Sequence, residues 1–279
     1  MSPPDCERPI AVFDSGVGGL TVLHELLVAL PAEDFVYLGD TARFPYGEKT
    51  QEQLRTFALE IAEHLLGLDA KLLVVACGSA TAAALPLLQR RLADAGVDGL
   101  GVIEPAAALA VEATRSRRIG VLATPATVAS GAFAAAIAAL DSAVHVESVP
   151  CPDLAPIIQN GFPFDERVVD TVRRYTAPLR EADVDTVILG STHYPLVAPM
   201  LQRMLGRGVR LVSSGEGVAR AVERTLAARR LLNPRTTEGE YRFHTTGDVA
   251  SFRALGTRFL QMPLGDVEPV VLAPLELAA

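Results

Sequence analysis

Short runs of apolar, mostly β-branched residues alternate along the chain with longer segments of helical spacing. The runs that stand out are Ile10–Phe13, Phe35–Leu38, Leu72–Ala76, Arg118–Leu122, Thr186–Leu189 and Val209–Val212. They are continuously apolar instead of alternating, as expected of strands covered on both faces, and segments long enough for helices separate them. This predicts an α/β fold built on parallel sheets. One intervening helix is well marked at its start. Thr50 and Gln53 have the spacing of a capping box, and Leu54, Phe57, Ala58, Ile61 and Leu65 fall on one face. The loop before it therefore ends near Lys49.

The pattern also repeats internally. Ile10-Ala-Val-Phe-Asp-Ser-Gly-Val-Gly-Gly can be laid over Ile119-Gly-Val-Leu-Ala-Thr-Pro-Ala-Thr-Val, each a strand ending in a hydroxyl residue at a tight turn. Val74-Val-Ala-Cys77-Gly-Ser, followed by Pro86-Leu-Leu-Gln-Arg-Arg-Leu92, is echoed by Ile188-Leu-Gly-Ser191-Thr-His, followed by Pro199-Met-Leu-Gln-Arg-Met-Leu205. Both echoes recur in the same order at a shift of roughly 110 residues, the behaviour of a duplicated domain. Two pseudo-symmetric parallel-sheet domains should face a central cleft, with the carboxyl ends of their strands lining it. Cys77 and Ser191 would then approach one ligand from opposite sides.

Composition narrows the classes of function. The chain has 279 residues, 49% hydrophobic and 21% charged, and its 25 Lys+Arg against 33 Asp+Glu give a net charge of -8. This describes a soluble globular protein whose charge repels phosphate backbones; Arg117-Arg118 and Arg229-Arg230 are too short to make a basic patch. No apolar stretch approaches the ~18 residues of a membrane span, and the first residues lack the basic and apolar regions of a secretory signal. A cytoplasmic protein is expected. Cys6, Cys77 and Cys151 are odd in number and form no CxxC pair, which argues for thiols over disulfides or structural zinc.

Several strand ends carry candidate chemistry. Asp14-Ser15-Gly16-Val17-Gly18-Gly19 is a Gly-rich turn whose backbone amides can bind an anion such as a carboxylate, or one in which glycine merely permits close packing. It is no dinucleotide fingerprint, because Thr21 stands where GxGxxG needs glycine, and it lacks the lysine of a P-loop. The loop Leu38 to Lys49 offers Asp40, Arg43 and Tyr46 as recognition groups, though surface loops often carry such residues. Cys77 at the entrance to a helix could be a base or nucleophile, or a buried structural cysteine. Ser191 and His193 place a hydroxyl and an imidazole together without the GxSxG elbow of a serine hydrolase. No lysine has a context suggesting a Schiff base with pyridoxal phosphate, and no cluster has metal-ligand spacing.

Taken together, these motifs resemble the glutamate racemase family of the aspartate/glutamate racemase superfamily. The resemblance covers most of the chain: the Asp14-Ser15-Gly-Val-Gly-Gly turn, Tyr37-Leu-Gly-Asp40-Thr-Ala-Arg-Phe-Pro-Tyr-Gly, Val-Ala-Cys77, Ala123-Thr124-Pro-Ala-Thr127-Val, Cys151-Pro and Thr192-His193-Tyr194-Pro195. It implies a cofactor-independent enzyme, in some members a homodimer, that interconverts L- and D-glutamate for bacterial cell-wall peptidoglycan. It further implies that the chain returns to its first domain, with residues 1–98 plus 211–279 in one domain and 99–210 in the other. Inversion at Cα needs one group to remove a proton and another to return one on the opposite face. By position, Cys77 assisted by Asp14 would serve one face, and the group at 191 assisted by His193 the other. Ser15, Pro45, Tyr46, Gly47, Thr127 and Thr192, with Asp40, Gly78, Ser79 and Thr124, would hold the amino acid.

The sequence departs from the family at four of these positions. Ser191 stands where a second cysteine is usual, Gly78-Ser79 where Asn-Thr is usual, and Gln159 where an acidic helper is usual. A hydroxyl ionises far less readily than a thiol, whose ordinary pKa is about 8.5, so Ser191 should slow inversion in both directions. The further changes at 78, 79 and 159 suggest natural divergence more than a single introduced substitution. Two other functions stay open: a one-sided proton-transfer enzyme such as a malonate-type decarboxylase, and a catalytically silent amino-acid-binding relative.

Overall fold

The computed structural model describes residues 5–161 and 165–275; the first residues of the segment read for a secretory signal lie outside them. In chain order the elements are β1 (Ile10–Asp14), α1 (Leu20–Ala29), β2 (Phe35–Gly39), α2 (Gln51–Leu66), β3 (Leu72–Val75), α3 (Gly78–Asp94), β4 (Asp98–Gly101) and α4 (Ile103–Ala113). Then come β5 (Arg118–Ala123), α5 (Pro125–Ser130), α6 (Ala132–Leu140), β6 (His145–Pro150), α7 (Leu154–Gln159), α8 (Glu166–Glu181), β7 (Thr186–Leu189) and α9 (Ala198–Leu205). Last are β8 (Arg210–Ser213), α10 (Ser214–Arg229), β9 (Tyr241–Thr245), α11 (Val249–Leu260) and β10 (Val267–Pro269).

The strands form two sheets, ordered β10-β9-β2-β1-β3-β4 and β6-β5-β7-β8, and every strand pair is parallel. The sequence repeat is visible in this order. β2-β1-β3-β4 corresponds strand for strand to β6-β5-β7-β8, so Cys77 beyond β3 and Ser191 beyond β7 stand at equivalent strand ends. β9 and β10 extend the first sheet past β2 after the chain has left the second.

Alternate side chains of the central strands enter different cores, as the two-residue period of a strand requires. Ile10 and Val12, with Phe35, Tyr37, Leu72 and Val74, face a large core continuous with the second sheet. Ala11 and Phe13, with Val36, Leu38, Leu73 and Val75, face a separate core covered by α2 and α3. Both faces are buried, which is why these strands read as unbroken apolar runs. The capping box of α2 forms as expected, the Thr50 side chain accepting from Gln53 N and the Gln53 side chain from Thr50 N. Of its expected face, Leu54, Ala58, Ile61 and Leu65 are buried, while Phe57 is partly buried beneath the Arg43 guanidinium.

The apolar pattern did not predict β4, β6, β9 and β10. β4 reads Asp-Gly-Leu-Gly and β10 is a short edge strand ending in proline, both poor in strand formers. β6 and β9 carry polar residues between apolar ones and join their sheets by pairing with neighbours already in place.

Candidate active site

The carboxyl ends of β1 and β3 in the first sheet and of β5 and β7 in the second border one cleft. On the first side β1 ends at Asp14, and the chain turns through Ser15–Gly19 into α1. Asp14 is fully buried; its Oδ2 accepts from Gly16 N at 3.0 Å and its Oδ1 from Thr192 Oγ1 at 3.5 Å. Beneath the turn the Tyr37 hydroxyl donates to the Gly16 carbonyl at 2.8 Å. Any side chain at Gly19 would place its Cβ 2.5 Å from Asp14 Cβ, so the turn folds this tightly only with glycine there. Burial pushes the Asp14 carboxyl up to about 6, in spite of the backbone N–H groups of Gly19, Gly16 and Ser15.

Cys77 is the N-cap residue immediately before α3, so the N-terminus of a 17-residue helix sits behind it. The Ala80 amide and Ser15 favour its thiolate, while burial and the neighbouring Asp14 charge oppose it more strongly and push the thiol up to about 12. The pair therefore holds one proton near neutral pH, on sulfur.

The second side is built differently. Beyond β7 no long helix starts at Ser191; a short 3-10 turn, Tyr194–Val197, intervenes before α9. Ser191 Oγ accepts from His193 N at 3.5 Å. The His193 imidazole is plugged into the first half of the molecule, its ring 5.7 Å from that of Phe44 and 5.1 Å from that of Phe259. Its Nε2 lies 2.9 Å from Gln159 Oε1, and because that oxygen only accepts, Nε2 carries the proton. Nδ1 faces Gly18, where an added Cβ would lie 2.5 Å away. Burial lowers the imidazole pKa to about 3, so His193 is neutral. The imidazole makes its hydrogen bond to Gln159 and none to Ser191 among the described residues, so this is not the serine–histidine dyad of a hydrolase.

Hydroxyl groups tie the two halves together across the cleft. Ser79 on α3 meets Thr124 at 2.9 Å and Thr127 at 3.3 Å, and Thr124 meets Thr127 at 2.9 Å. Thr21 on α1 donates to the Thr192 carbonyl at 2.9 Å. The Phe44–Pro45 peptide bond, in the loop over the site, is cis.

Of the residues expected from sequence, Ser15, Pro45, Tyr46, Gly47, Cys77, Gly78, Ser79, Thr124, Ser191, Thr192 and His193 line the cleft. Asp14 and Thr127 stand just behind its wall, bonded to Thr192 and to the Ser79–Thr124 pair. Asp40 departs from expectation as a ligand-binding group. It is fully buried, with Oδ2 taken by Arg43 and Tyr46 and Oδ1 by Thr246 Oγ1 at 2.7 Å, so it braces the loop and is not among the cleft-lining residues. Motif reading missed the apolar wall of Phe44, Pro125, Pro152, Ala155 and Pro156. Phe44, Pro125 and Pro152 stand inside the quoted motifs but are not assigned to the site by them, because their role depends on packing between segments distant in sequence. No lysine or arginine is among the lining residues, so an acidic ligand would meet hydroxyls and backbone amides, with Glu48 the one acidic side chain on the wall. Among the described residues no cluster of three or more His, Cys, Asp or Glu is arranged to hold a metal ion, and no helix is long and apolar enough to cross a membrane.

Two sheets related by duplication, with a strand end from each presented to one cleft, define a racemase-type scaffold. The chain belongs to the Asp/Glu/Hydantoin racemase family, whose profile matches residues 15–222. Within it the similarity is to glutamate racemases over nearly the whole chain. The glutamate racemase of Geobacter metallireducens is 45% identical over 265 residues, covering 95% of this chain and 97% of that protein. The structure of the glutamate racemase isoform RacE1 from Bacillus anthracis superposes with a TM-score of 0.91 at 38% identity, covering 95% of this chain and 98% of that one. That of the Francisella tularensis glutamate racemase in complex with D-glutamate gives 0.88 at 32% identity, over 95% and 98% of the two chains.

Proposed function

We propose that the cleft binds glutamate and interconverts its L and D forms by proton transfer at Cα, supplying D-glutamate for peptidoglycan. The observation that carries this reading is the placement of Cys77 and Ser191 at equivalent strand ends on one cleft, in a chain similar from end to end to glutamate racemases. Cys77, backed by Asp14, is the base on one face; Ser191, beside His193, completes the other. Removing the Cα proton leaves an electron pair that spreads into the α-carboxylate, and neutral donors along Ser15, Gly78, Ser79, Thr124 and Thr192 stabilise that charge without a metal or cofactor. The substrate ammonium, entering a site without its own cation, offsets the effect of Asp14 on the thiol and eases formation of the thiolate. Asp40 and Thr127 act through the groups they brace. The homodimer implied by the family, a cytoplasmic location, and a two-domain division close to residues 98 and 210 belong to the same reading; sheet pairing favours keeping β4 and β8 whole when the cuts are drawn.

The test is chiral chromatography of L- and D-glutamate, each incubated with the enzyme. Both should yield the opposite enantiomer, while aspartate and alanine stay unchanged. Folded protein that leaves both glutamate enantiomers unchanged would refute the assignment. The single thiol favours a second reading, decarboxylation of a malonate-type acid, for which release of CO2 from such acids in place of glutamate inversion is the distinguishing result.

A further inference from the structure

The two strand ends are equivalent in topology and unequal in chemistry. Cys77 has a long helix starting at its back, an ionisable carboxyl next to it, and Ala80 N and Ser15 to receive negative charge. Ser191 has a short 3-10 turn in place of that helix. His193, two residues on, is immobilised between Phe44 and Phe259, bonded to an uncharged amide at Gln159, and turned with Nδ1 toward Gly18. Among the described residues the one group bonded to Ser191 Oγ is the His193 backbone N–H, at 3.5 Å, a long and weak donor to an alkoxide, and no side chain relays a proton to it.

We infer that the faces of the cleft work at different rates: Cys77 exchanges the Cα proton many times for each inversion, and proton transfer at Ser191 limits racemisation. This rests on the reading of the cleft as a glutamate racemase site. In the enantiomer whose Cα–H points at Cys77, the C–H bond breaks, its electrons enter the carboxylate as an enediolate, and an S–H bond forms. The thiol proton exchanges with solvent and returns to the same face, so the label enters without inversion. Inversion requires the Ser191 O–H bond to break toward the opposite face of the enediolate, leaving an alkoxide that water must reprotonate. In the reverse direction Ser191 must first lose its proton to water, and the resulting alkoxide then takes the one on Cα. Once that slow step has occurred, the thiol at once reprotonates the carbanion from the other side. The neutral environment of His193 is a consistent feature: with its pKa lowered by burial to about 3, the imidazole carries no extra proton to give in one direction and is a weak acceptor for the serine proton in the other.

The experiment follows each glutamate enantiomer separately in D2O, with α-proton loss by NMR and inversion by circular dichroism on the same samples. For one enantiomer, exchange should exceed inversion by tenfold or more. For the other, the unreacted pool should stay free of deuterium, every exchanged molecule being an inverted one. Ser191→Cys should bring the exchange-to-inversion ratio toward one, and Gln159→Glu, which gives His193 an acidic partner, should move it the same way. Equal ratios for both enantiomers, or deuterium in both residual pools before inversion, would overturn the inference while leaving the racemase assignment standing. Absence of exchange from either would overturn it too. Calorimetric titration with L- and D-glutamate then separates the two failures: binding keeps glutamate as the ligand, and no binding removes the assignment as well.

Discussion

The Asp14 carboxyl shows how a single residue couples the chemistry of this site to its stability. Its pKa rises from 3.8 to about 6 on folding because burial disfavours the charged form, so its ionisation opposes the fold. The penalty is absent below about 4, grows as pH rises through 6, and amounts to at most about 3 kcal/mol for a shift of this size. Asp14→Asn should therefore be more stable than the parent at pH 8, by about 1–3 kcal/mol in urea unfolding, and lose that advantage near pH 4. Activity, which needs the carboxylate beside Cys77, should fall as pH drops through about 6 in the parent and be lost in the variant. An advantage that does not vary with pH would show that Asp14 is not charged in the folded protein. His193 has the opposite sign: its neutral form is favoured by folding, so its contribution is present above pH 6.5 and lost as pH falls toward 3. The identities of Cys77, Ser191 and His193 as strand-end groups were legible in the sequence; the partner of His193, Gln159 on α7, was noticed only as a departure from the family pattern. What that departure does, giving the buried imidazole an uncharged partner, depends on a contact between residues 34 positions apart.

At the scale of elements, α2 connects a local sequence signal to the site. Its capping box fixes where the helix starts and thus where the loop carrying Pro45, Tyr46 and Gly47 must end. Thr50→Ala removes the acceptor for Gln53 N and should lower unfolding free energy by about 1 kcal/mol, read as a shift in the urea midpoint at constant m-value. Since Thr50 lies outside the cleft, kcat/KM should stay within twofold; a large loss would mean that the helix start also sets the loop conformation used in catalysis. The strands legible in sequence were those buried on both faces. β4, β6, β9 and β10 were hidden because short or polar strands are stabilised by pairing with a neighbour more than by their own composition. Asp40 was misread for a related reason. A carboxylate in a loop reads as available to ligand, whereas Arg43, Tyr46 and Thr246 saturate it, the last contributed by the residue just after β9, more than 200 residues away.

For the whole molecule the decisive feature is how closely the two halves approach. Gly78, the first residue of α3, lies so near the second half that an added Cβ would be 2.9 Å from the Gly190 carbonyl oxygen. Gly78→Ala should force the strand ends bearing Cys77 and Ser191 apart by a few tenths of an ångström. Overpacking of this kind costs about 1–3 kcal/mol and should lower kcat/KM by tenfold or more, because proton transfer depends steeply on donor–acceptor distance. Gly208→Ala is the control, with nothing within 4 Å of an added Cβ, and should leave kcat/KM unaltered. Equal behaviour of the two variants would show that the halves can separate without consequence for catalysis.

The sequence by itself determined the α/β class, the duplication, the central strands and the groups at their ends, because hydrophobic period, capping and turn chemistry are local and survive in linear order. It also carried the resemblance to glutamate racemases, which the comparisons bear out. Only the tertiary structure decided which strand-end residues face the cleft and which stand behind it, that Asp40 braces a loop, and that His193 is a neutral plug between two aromatic rings. Those properties arise from burial and from contacts across the two halves, and neither burial nor long-range contact is written in the spacing of residues along the chain.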